Sequence, residues 1–443
     1  MMRTQFNRAF LVVLFVLMRF TTLHAQQADI PPAPADGAIP DVSSDPNGAA
    51  PDRIVEDRPN MYTFKKVAHP ISWVEGITRP LIQGIELGSG RFTRDSDKPR
   101  VSGVKLSIRG IGGGGSSSGL GPEVRPFHYN LFGTGTEVEV PLFVSFRLYE
   151  SYGFRVNYPF VRNDSFERLG LELTGRYASR RSESFYGIGN DSAVWNEARF
   201  RSVSRTAGVA LEARINDTWS FRLEEAYRSV GITEPGTGQN VEDVFQGTGV
   251  PGLSDPGVTM LISAAALQRN TKDRVHLAGS GGLQRVEVTL NEALSGGDFS
   301  YWRYRGELEQ FIPLDGARRN VIALRGHLEH TKEKGGSVIP YYDLPTIGGR
   351  STVRGFDNRR FADRSAVSGS VEYRYRIWRY MDWGFFADTG QVAPEINDFS
   401  KKRFHAGYGT RLMFRTKGDR AVSFDFARSR EAWIFYVDFT PTF

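Results

Sequence analysis

Residues 348–356 read Gly-Gly-Arg-Ser-Thr-Val-Arg-Gly-Phe. The flanking glycines are typical of a tight loop that needs positive φ angles, and Arg354 stands at its tip. Apolar and polar residues alternate from this loop to Phe443, which predicts β-strands that can enclose an interior. If the loop folds back into that interior, its guanidinium needs carboxylates that accept hydrogen bonds in a fork geometry.

Strand parity supplies two candidate carboxylates. Over residues 368–378 the odd positions are apolar or small and the even positions are polar, so Glu372 is predicted to point inward. Over residues 383–388 the same alternation places Asp388 on the inward face. The sequence therefore predicts a cluster of Arg354 with these two carboxylates, and the alternative is a loop arginine in solvent.

The start of the chain predicts export. Residues 1–25 carry Arg3 and Arg8 before a short apolar run, which is typical of a secretory signal peptide and too short to span a bilayer. The 443 residues include no cysteine, which excludes disulfides, thiolate metal sites and cysteine nucleophiles. Because no later apolar run reaches about 18 residues, membrane residence must come from strands.

The chain divides into four parts by composition. After the signal peptide, residues 26–60 are rich in proline and predict a disordered periplasmic tether. Residues 61–100 predict a short helix and linker at the periplasmic mouth, where the helix is either a plug, an interfacial helix or an ordered linker. Residues 101–443 predict an all-β fold, a closed transmembrane antiparallel β-barrel with an inward-folded external loop.

Counting alternating runs predicts about sixteen strands, an even number as in closed bacterial barrels. One such run covers residues 137–148. Long connections follow the odd strands and short ones follow most even strands, which is typical of external loops and periplasmic turns. The predicted strands begin near Val101, Ser116, Thr134, Ser151, Ser165, Phe200, Trp219, Gly257, Gly281, Ser300, Asn320, Ala366, Asp382, Arg403, Arg420 and Glu431.

The formal net charge of +6 and the pI near 9.3 do not predict a nucleic-acid partner, because the chain is expected to be exported. Arginine and glutamate instead alternate within strands, as in residues 303–309. This pattern is typical of a wet interior with self-paired charges.

The motif at 348–356 resembles one in a known family when it is combined with residues 371–374 (Val-Glu-Tyr-Arg) and 384–390 (Gly-Phe-Phe-Ala-Asp-Thr-Gly). These stretches resemble the barrel of the BamA/TamA outer-membrane assembly-factor family, also called bacterial surface antigens. Residues 185–192 and 131–135 also look like an external loop segment and an early periplasmic turn of that family. The resemblance covers roughly residues 101–443.

The resemblance implies a bacterial outer-membrane barrel whose loop arginine is held in the lumen by acids on the following strands. Carried over to this sequence, the members of this loop lock are Arg354, Gly355, Phe356, Glu372 and Asp388. The resemblance also implies that the aromatic terminal strand is the signal for insertion of the barrel itself; its members are Trp433, Phe435, Phe439 and Phe443.

The leading hypothesis is a barrel that helps polypeptides, or lipids, to insert into or cross the outer membrane through a lateral seam. Gly103 and Gly110 in the first strand predict weak pairing with the last one. The alternative is a passive channel or a structural barrel. Expected partners are outer-membrane lipids and lipopolysaccharide, client polypeptides, and separate periplasmic proteins that replace the family's usual recruiting domains, for which residues 26–100 leave too little room.

Enzymatic alternatives have little support in the sequence. Residues 115–119 match the nucleophile-elbow formula, but they lie in a glycine-serine hairpin with no helix after it. His327 and His330 are an odd number of residues apart on one strand, so they cannot share a metal. We therefore expect no catalytic residue, cofactor or metal site, and a lipase or protease is disfavoured.

Overall fold

The computed structural model describes residues 101–109, 119, 121–162, 167–255, 257–275, 277–378, 380–415 and 421–439. The signal peptide, tether and helix predicted over residues 1–100 lie outside this range. So do Gly110 and Phe443.

Almost all regular structure in the described residues is β-strand. The helical pieces are one short α-helix, α1 (Val241–Phe245), and 3-10 turns at Val194–Asn196, Tyr341–Asp343 and Ile396–Asp398. The strands are β1 (Ser102–Arg109), β2 (Gly121–Leu131), β3 (Thr136–Glu139), β4 (Leu142–Val144), β5 (Glu150–Arg162), β6 (Glu167–Phe185), β7 (Ala198–Arg214), β8 (Trp219–Thr233), β9 (Gly257–Asn270), β10 (Gly281–Ser295), β11 (Tyr301–Pro313), β12 (Asn320–Glu333), β13 (Thr346–Ile347), β14 (Phe361–Ala362), β15 (Ser365–Trp378), β16 (Met381–Ala393), β17 (His405–Arg415), β18 (Ala421–Ser429) and β19 (Trp433–Phe439).

Successive wall strands pair antiparallel from β1 to β19. β13 and β14 pair only with each other, inside the connection from β12 to β15. β3 and β4 both pair with β2 and β5, so they are two pieces of one strand. The described wall therefore has sixteen strands, and β1 lies beside β19, which confirms the predicted barrel of about sixteen antiparallel strands.

Most strands begin within two residues of their predicted starts. The second predicted start, Ser116, lies outside the described residues, and β2 begins at Gly121. The alternation over residues 137–148 predicts one continuous strand, but the strand breaks at Pro141 and ends at Val144. Proline has no N–H to donate to the ladder, so the strand continues as two short pieces.

The two faces of the wall differ in polarity. Large apolar side chains point outward and are exposed, for example Phe154, Val371, Phe385, Tyr408 and Phe435. A water-soluble sheet would hide these residues, whereas an apolar outer band suits lipid. No helix in the described ranges is long and apolar enough to cross a membrane.

The inward face carries paired charges along the strands. Arg303 Nε lies 3.4 Å from Glu329 Oε1, and Arg305 Nη1 lies 3.1 Å from Glu287 Oε1. These residues belong to neighbouring strands of the same wall. The interior is thus lined by opposite charges that satisfy one another across strands.

One end of the barrel carries the longest connections, and we call it the long-loop end. Aromatic and aliphatic residues from several connections and strand ends pack there in one buried cluster. The members with rings include Phe185, Phe200, Phe245, Tyr301, Tyr341 and Tyr342. We call this cluster the aromatic cap, because it packs residues of the long connections onto the strand ends.

Candidate functional site

The connection between β12 and β15, residues 334–364, folds into the barrel, and we call it the inner loop. Val353 and Phe356 are almost fully buried and pack with Ile347, Phe361 and strand residues of β15 and β16. The β13–β14 pair holds the two sides of the loop together. The tip that carries Arg354 therefore points into the interior on a rigid support.

Arg354 binds Asp388 on β16. Its Nε lies 2.6 Å from Asp388 Oδ2 and its Nη2 lies 2.7 Å from Oδ1, while the Arg354 backbone N–H donates to Oδ2 at 3.0 Å. Its Nη1 donates to Glu372 Oε2 at 3.2 Å. The guanidinium is 1% exposed, and its central carbon lies 3.4 Å from the centroid of the Phe386 ring. The arginine is thus held by a fork of hydrogen bonds and a cation–π contact.

Glu372 connects this pair to two arginines on the wall. Arg374 Nε donates to Glu372 Oε1 at 2.8 Å, and Arg411 Nη1 lies 3.0 Å from Oε2. Arg411 also binds Asp425 through two hydrogen bonds of 2.7 and 2.6 Å. We call Arg354, Arg374, Arg411, Glu372, Asp388 and Asp425 the charge cluster.

The charge cluster is buried and contains three positive and three negative side chains. Burial of unpaired ions would be costly, so each member depends on the others. Arg374, Arg411 and Asp425 are members in addition to the predicted ones. Strand parity carries the signal for them, because they lie on the inward faces of β15, β17 and β18.

The loop tip also contacts the last two wall strands. Gly355 N–H donates to Tyr436 Oη on β19 at 3.0 Å, and Ser429 Oγ donates to Gly355 O at 2.5 Å. Gly355 has φ near +89°, and a Cβ there would lie 2.7 Å from the carbonyl carbon of Arg428. Only glycine combines this backbone conformation with so close an approach.

Asp343 fixes the inner loop to the wall at the long-loop end. Arg228 donates to its two carboxylate oxygens at 3.0 and 3.2 Å, and Tyr301 Oη donates to Oδ2 at 3.0 Å. Burial alone would raise the pKa of this carboxyl. The charges of Arg228 and Arg303 outweigh burial and hold the pKa of Asp343 below its usual value.

Residues 185–192, which resemble a recurrent loop segment, pack on the inner loop and on neighbouring strands. Tyr186 Oη donates to Asp357 Oδ2 at 3.0 Å. Asn190 Nδ2 donates to Arg403 O at 2.9 Å, and Val392 N–H donates to Asn190 Oδ1 at 3.0 Å. The segment therefore ties the inner loop to the last residues of β16 and to the connection just before β17.

We call the junction of β1 and β19 the seam. Within the described residues, β1 pairs with β2 and β19 pairs with β18, and no strand ladder joins β1 to β19. Lys105 of β1 donates to Tyr129 and to Glu139 Oε1 at 3.2 Å. β1 is thus anchored to β2 and β3, and β19 is anchored to the inner loop through Tyr436.

The aromatic residues of the last strand divide between two faces. Trp433 and Phe435 point outward and are exposed, whereas Ile434 and Tyr436 point inward. The side chain of Phe439 and all of Phe443 lie outside the described part. The outward pair therefore belongs to the apolar band of the barrel.

One serine–histidine contact exists at the long-loop end. Ser365 Oγ lies 2.8 Å from His330 Nδ1, and His330 Nε2 lies 3.9 Å from a Glu395 oxygen. Ser365 is fully buried, so no substrate reaches its hydroxyl. Among the residues that the structure describes, no group of three or more potential ligands is placed to hold a metal ion.

Comparison with known proteins matches the Omp85 superfamily domain to residues 130–429. The fold is similar to that of BamA from Haemophilus ducreyi lacking POTRA domains 1–3, with a TM-score of 0.60 and 18% identity over 77% of this chain and 71% of that one. CdiB from Acinetobacter baumannii has a TM-score of 0.49, with 11% identity over 76% of this chain and 65% of that one. CdiB from Escherichia coli has a TM-score of 0.49, with 14% identity over 80% and 70% of the two chains.

The superfamily domain covers well over half of the chain and includes the wall from the end of β2 through β18, the inner loop and the charge cluster. The sixteen strands of the described wall and its apolar outer band agree with this match. The chain belongs to the Omp85 superfamily and is a β-barrel of the bacterial outer membrane.

Proposed function

We propose that the protein helps other polypeptides to insert into or cross the outer membrane, and that it does so by opening the seam. The observation that carries this proposal is the arrangement of β1 and β19, which are neighbours but have their described ladders only with β2 and β18. Unpaired backbone groups in lipid are costly. A client strand that pairs with an open seam edge would satisfy them by β-augmentation.

The side-chain anchors support an opening at this place. Lys105 holds β1 to Tyr129 and Glu139, while Tyr436 holds β19 to Gly355 of the inner loop. Separating β1 from β19 breaks neither anchor. At the β15–β16 junction, by contrast, separation would break a ladder from Ser365 to Trp378 and disturb the charge cluster.

The proposed mechanism is conformational and involves no bond chemistry in the client. The charge cluster would serve as a loop lock, in which Arg354, Gly355 and Phe356 are held against Glu372 and Asp388. The lock would keep the inner loop in place while the seam opens and closes. The clients would be outer-membrane or secreted polypeptides, delivered by separate periplasmic proteins.

A passive channel is the second candidate, and the inner loop argues against it. The loop tip and the charge cluster occupy the interior, and the aromatic cap covers part of the long-loop end. A channel needs a continuous wet path. Planar bilayers that contain the purified protein should therefore show little steady conductance, whereas stable open currents would favour the channel.

The insertion proposal is tested with lipid vesicles that hold the full chain. An unfolded client barrel protein is added, and its folding is followed by protection from protease. We expect faster protection than in vesicles that hold an unrelated outer-membrane barrel. Equal rates in the two preparations would contradict the proposal, as would normal levels of other barrel proteins in cells depleted of this chain.

A further inference from the structure

Arg360 lies in the inner loop six residues after Arg354 and has a separate set of contacts. Its side chain is 2% exposed, and its guanidinium carbon lies 4.6 Å from the centroid of Tyr186 and 4.4 Å from that of Phe361. Two aromatic rings therefore cover the charge. An arginine buried in this way must direct its donors to fixed acceptors.

The acceptors of Arg360 lie on two other connections at the long-loop end. Nε donates to Glu431 Oε2 at 2.8 Å and Nη2 donates to Glu431 Oε1 at 3.0 Å, which is a bidentate pair. Nη1 donates to Ser192 Oγ at 3.0 Å, and Nη2 also donates to Ser192 O at 2.7 Å. Arg360 thus joins the inner loop, the β6–β7 connection and the β18–β19 turn at one point.

Glu431 stands two residues before β19 begins. Its turn is held by Ser429, whose Oγ accepts hydrogen bonds from Glu431 N–H at 3.1 Å and Ala432 N–H at 3.3 Å. The same hydroxyl donates to Gly355 O. These hydrogen bonds hold the turn before β19 to the inner loop. The inner loop therefore fixes the direction in which the chain enters β19.

The inner loop contacts β19 at two further levels. Tyr436 Oη, in the middle of the strand, accepts from Gly355 N–H at 3.0 Å. Asp438, near the other end, forms an ion pair with Arg350. Together with the contact at Glu431, these contacts connect the inner loop to β19 from just before its first residue to near its last described residue.

We propose that Arg360 and Glu431 are a positioning pair that fixes the start of β19 and thereby sets the geometry of the seam. This inference rests on the proposed opening of the seam. It assigns different tasks to two arginines of one loop. Arg354 holds the loop inside the barrel through Glu372 and Asp388, and Arg360 holds the seam strand to the loop.

The absence of cysteine from the sequence allows a direct measurement of seam geometry. Nitroxide labels are attached to the full chain carrying Val104→Cys on β1 and Val437→Cys on β19, and the distance distribution between them is recorded in lipid. Labels at Tyr373→Cys and Phe385→Cys, which face each other across the β15–β16 ladder, report on the rest of the wall. The measurement requires no client polypeptide.

We expect Arg360→Ala and Glu431→Gln to broaden the seam distribution and to shift it towards longer distances. The double variant should be no broader than Arg360→Ala alone, because Arg360→Ala already removes the interaction with Glu431. Arg360→Lys should restore the distribution only in part, since lysine keeps the charge but cannot form the bidentate fork. The pair at 373 and 385 should keep its distribution in every variant.

Arg364→Ala is the matched control. Arg364 belongs to the same loop, but it pairs with Glu333 and Glu395 instead of the β18–β19 turn. This variant should leave the seam distribution unchanged. If it broadens the seam as much as Arg360→Ala does, the effect is general to the loop and the assignment is wrong.

Two other results would overturn the inference. One is an unchanged seam distribution in both Arg360→Ala and Glu431→Gln. The other is release of the inner loop to protease in these variants, since Arg360 would then be an anchor of the loop itself. The seam measurement contains no client polypeptide. A negative insertion assay would therefore contradict the proposed function and leave the result of the seam measurement unchanged.

Discussion

Gly407 of β17 lies directly under the carbonyl group of Arg354: a Cβ built on Gly407 would lie 1.9 Å from Arg354 O. No real Cβ tolerates such a contact with backbone, so the wall is glycine where the loop tip rests on it. The contact depends on the loop being inside the barrel.

Gly407→Ala should displace the inner loop without removing any of its polar partners. The added methyl group would force Arg354 away from Asp388 and weaken the fork of hydrogen bonds between them. We expect faster cleavage of residues 334–364 by protease and an altered heat-modifiability shift on gels. Gly306→Ala on β11 is the control, because a Cβ there meets nothing within 4 Å. Equal protease resistance in the two variants would refute the close packing of the tip.

Arg354→Ala should destabilise the folded barrel by about 3–5 kcal/mol, because it leaves buried carboxylates with a missing partner. Arg354→Lys should recover only part of this loss, since an ammonium group cannot serve Asp388 and Glu372 in the same fork. Urea titration of the folded protein in lipid measures the free energy of unfolding, and insertion activity should fall with it.

Arg350→Ala is the matched control for that loss. Arg350 lies in the same loop but is 39% exposed in its pair with Asp438. Pairs of this exposure contribute about 1 kcal/mol or less. A loss in Arg350→Ala as large as that in Arg354→Ala would show that any charge at the loop tip matters equally.

The wall of this barrel could be predicted from sequence because its pattern is local. Several strands begin where the alternation predicts them, at Trp219, Gly257, Gly281 and Asn320. The pattern is readable because successive side chains of a strand point alternately inward and outward. The parity of Glu372 and Asp388 likewise follows from neighbouring residues.

Contacts among the long connections could not be predicted in this way. Tyr186 binds Asp357 across 171 positions, and Arg360 binds Glu431 across 71. Irregular loops have no period, and their packing depends on surfaces that exist only after the wall has closed. The sequence therefore indicates where the inner loop begins and ends, but not that a second arginine joins it to the last turn.

Asp343→Asn should loosen the cap at neutral pH, because the neutral amide cannot satisfy Arg228 as the carboxylate does. The pKa of Asp343 is lower in the folded protein than its ordinary value of about 3.9. Its stabilising contribution is therefore complete above that value and is lost as the pH falls through the lower folded pKa. Amide hydrogen exchange over residues 334–364, corrected for the intrinsic rate at each pH, should show high protection in the wild type down to about pH 4. In Asp343→Asn protection should already be reduced at pH 7, and equal protection in both proteins would contradict the role of this carboxylate.

Val371→Arg should test whether the outer face of β15 lies in lipid. Val371 is 53% exposed at the middle of the strand, and its neighbours on that face are apolar. At the bilayer midplane an arginine costs about 2–4 kcal/mol, and near the interface the cost falls to about 0–1 kcal/mol. Tyr375→Arg, on the same face and four residues nearer the strand end, should therefore cost less. Folding into phospholipid vesicles, titrated with urea, gives both values. A protein whose outer face met water would lose only about 0.5 kcal/mol or less at either position, so a large loss that depends on depth places this face of the barrel in the membrane.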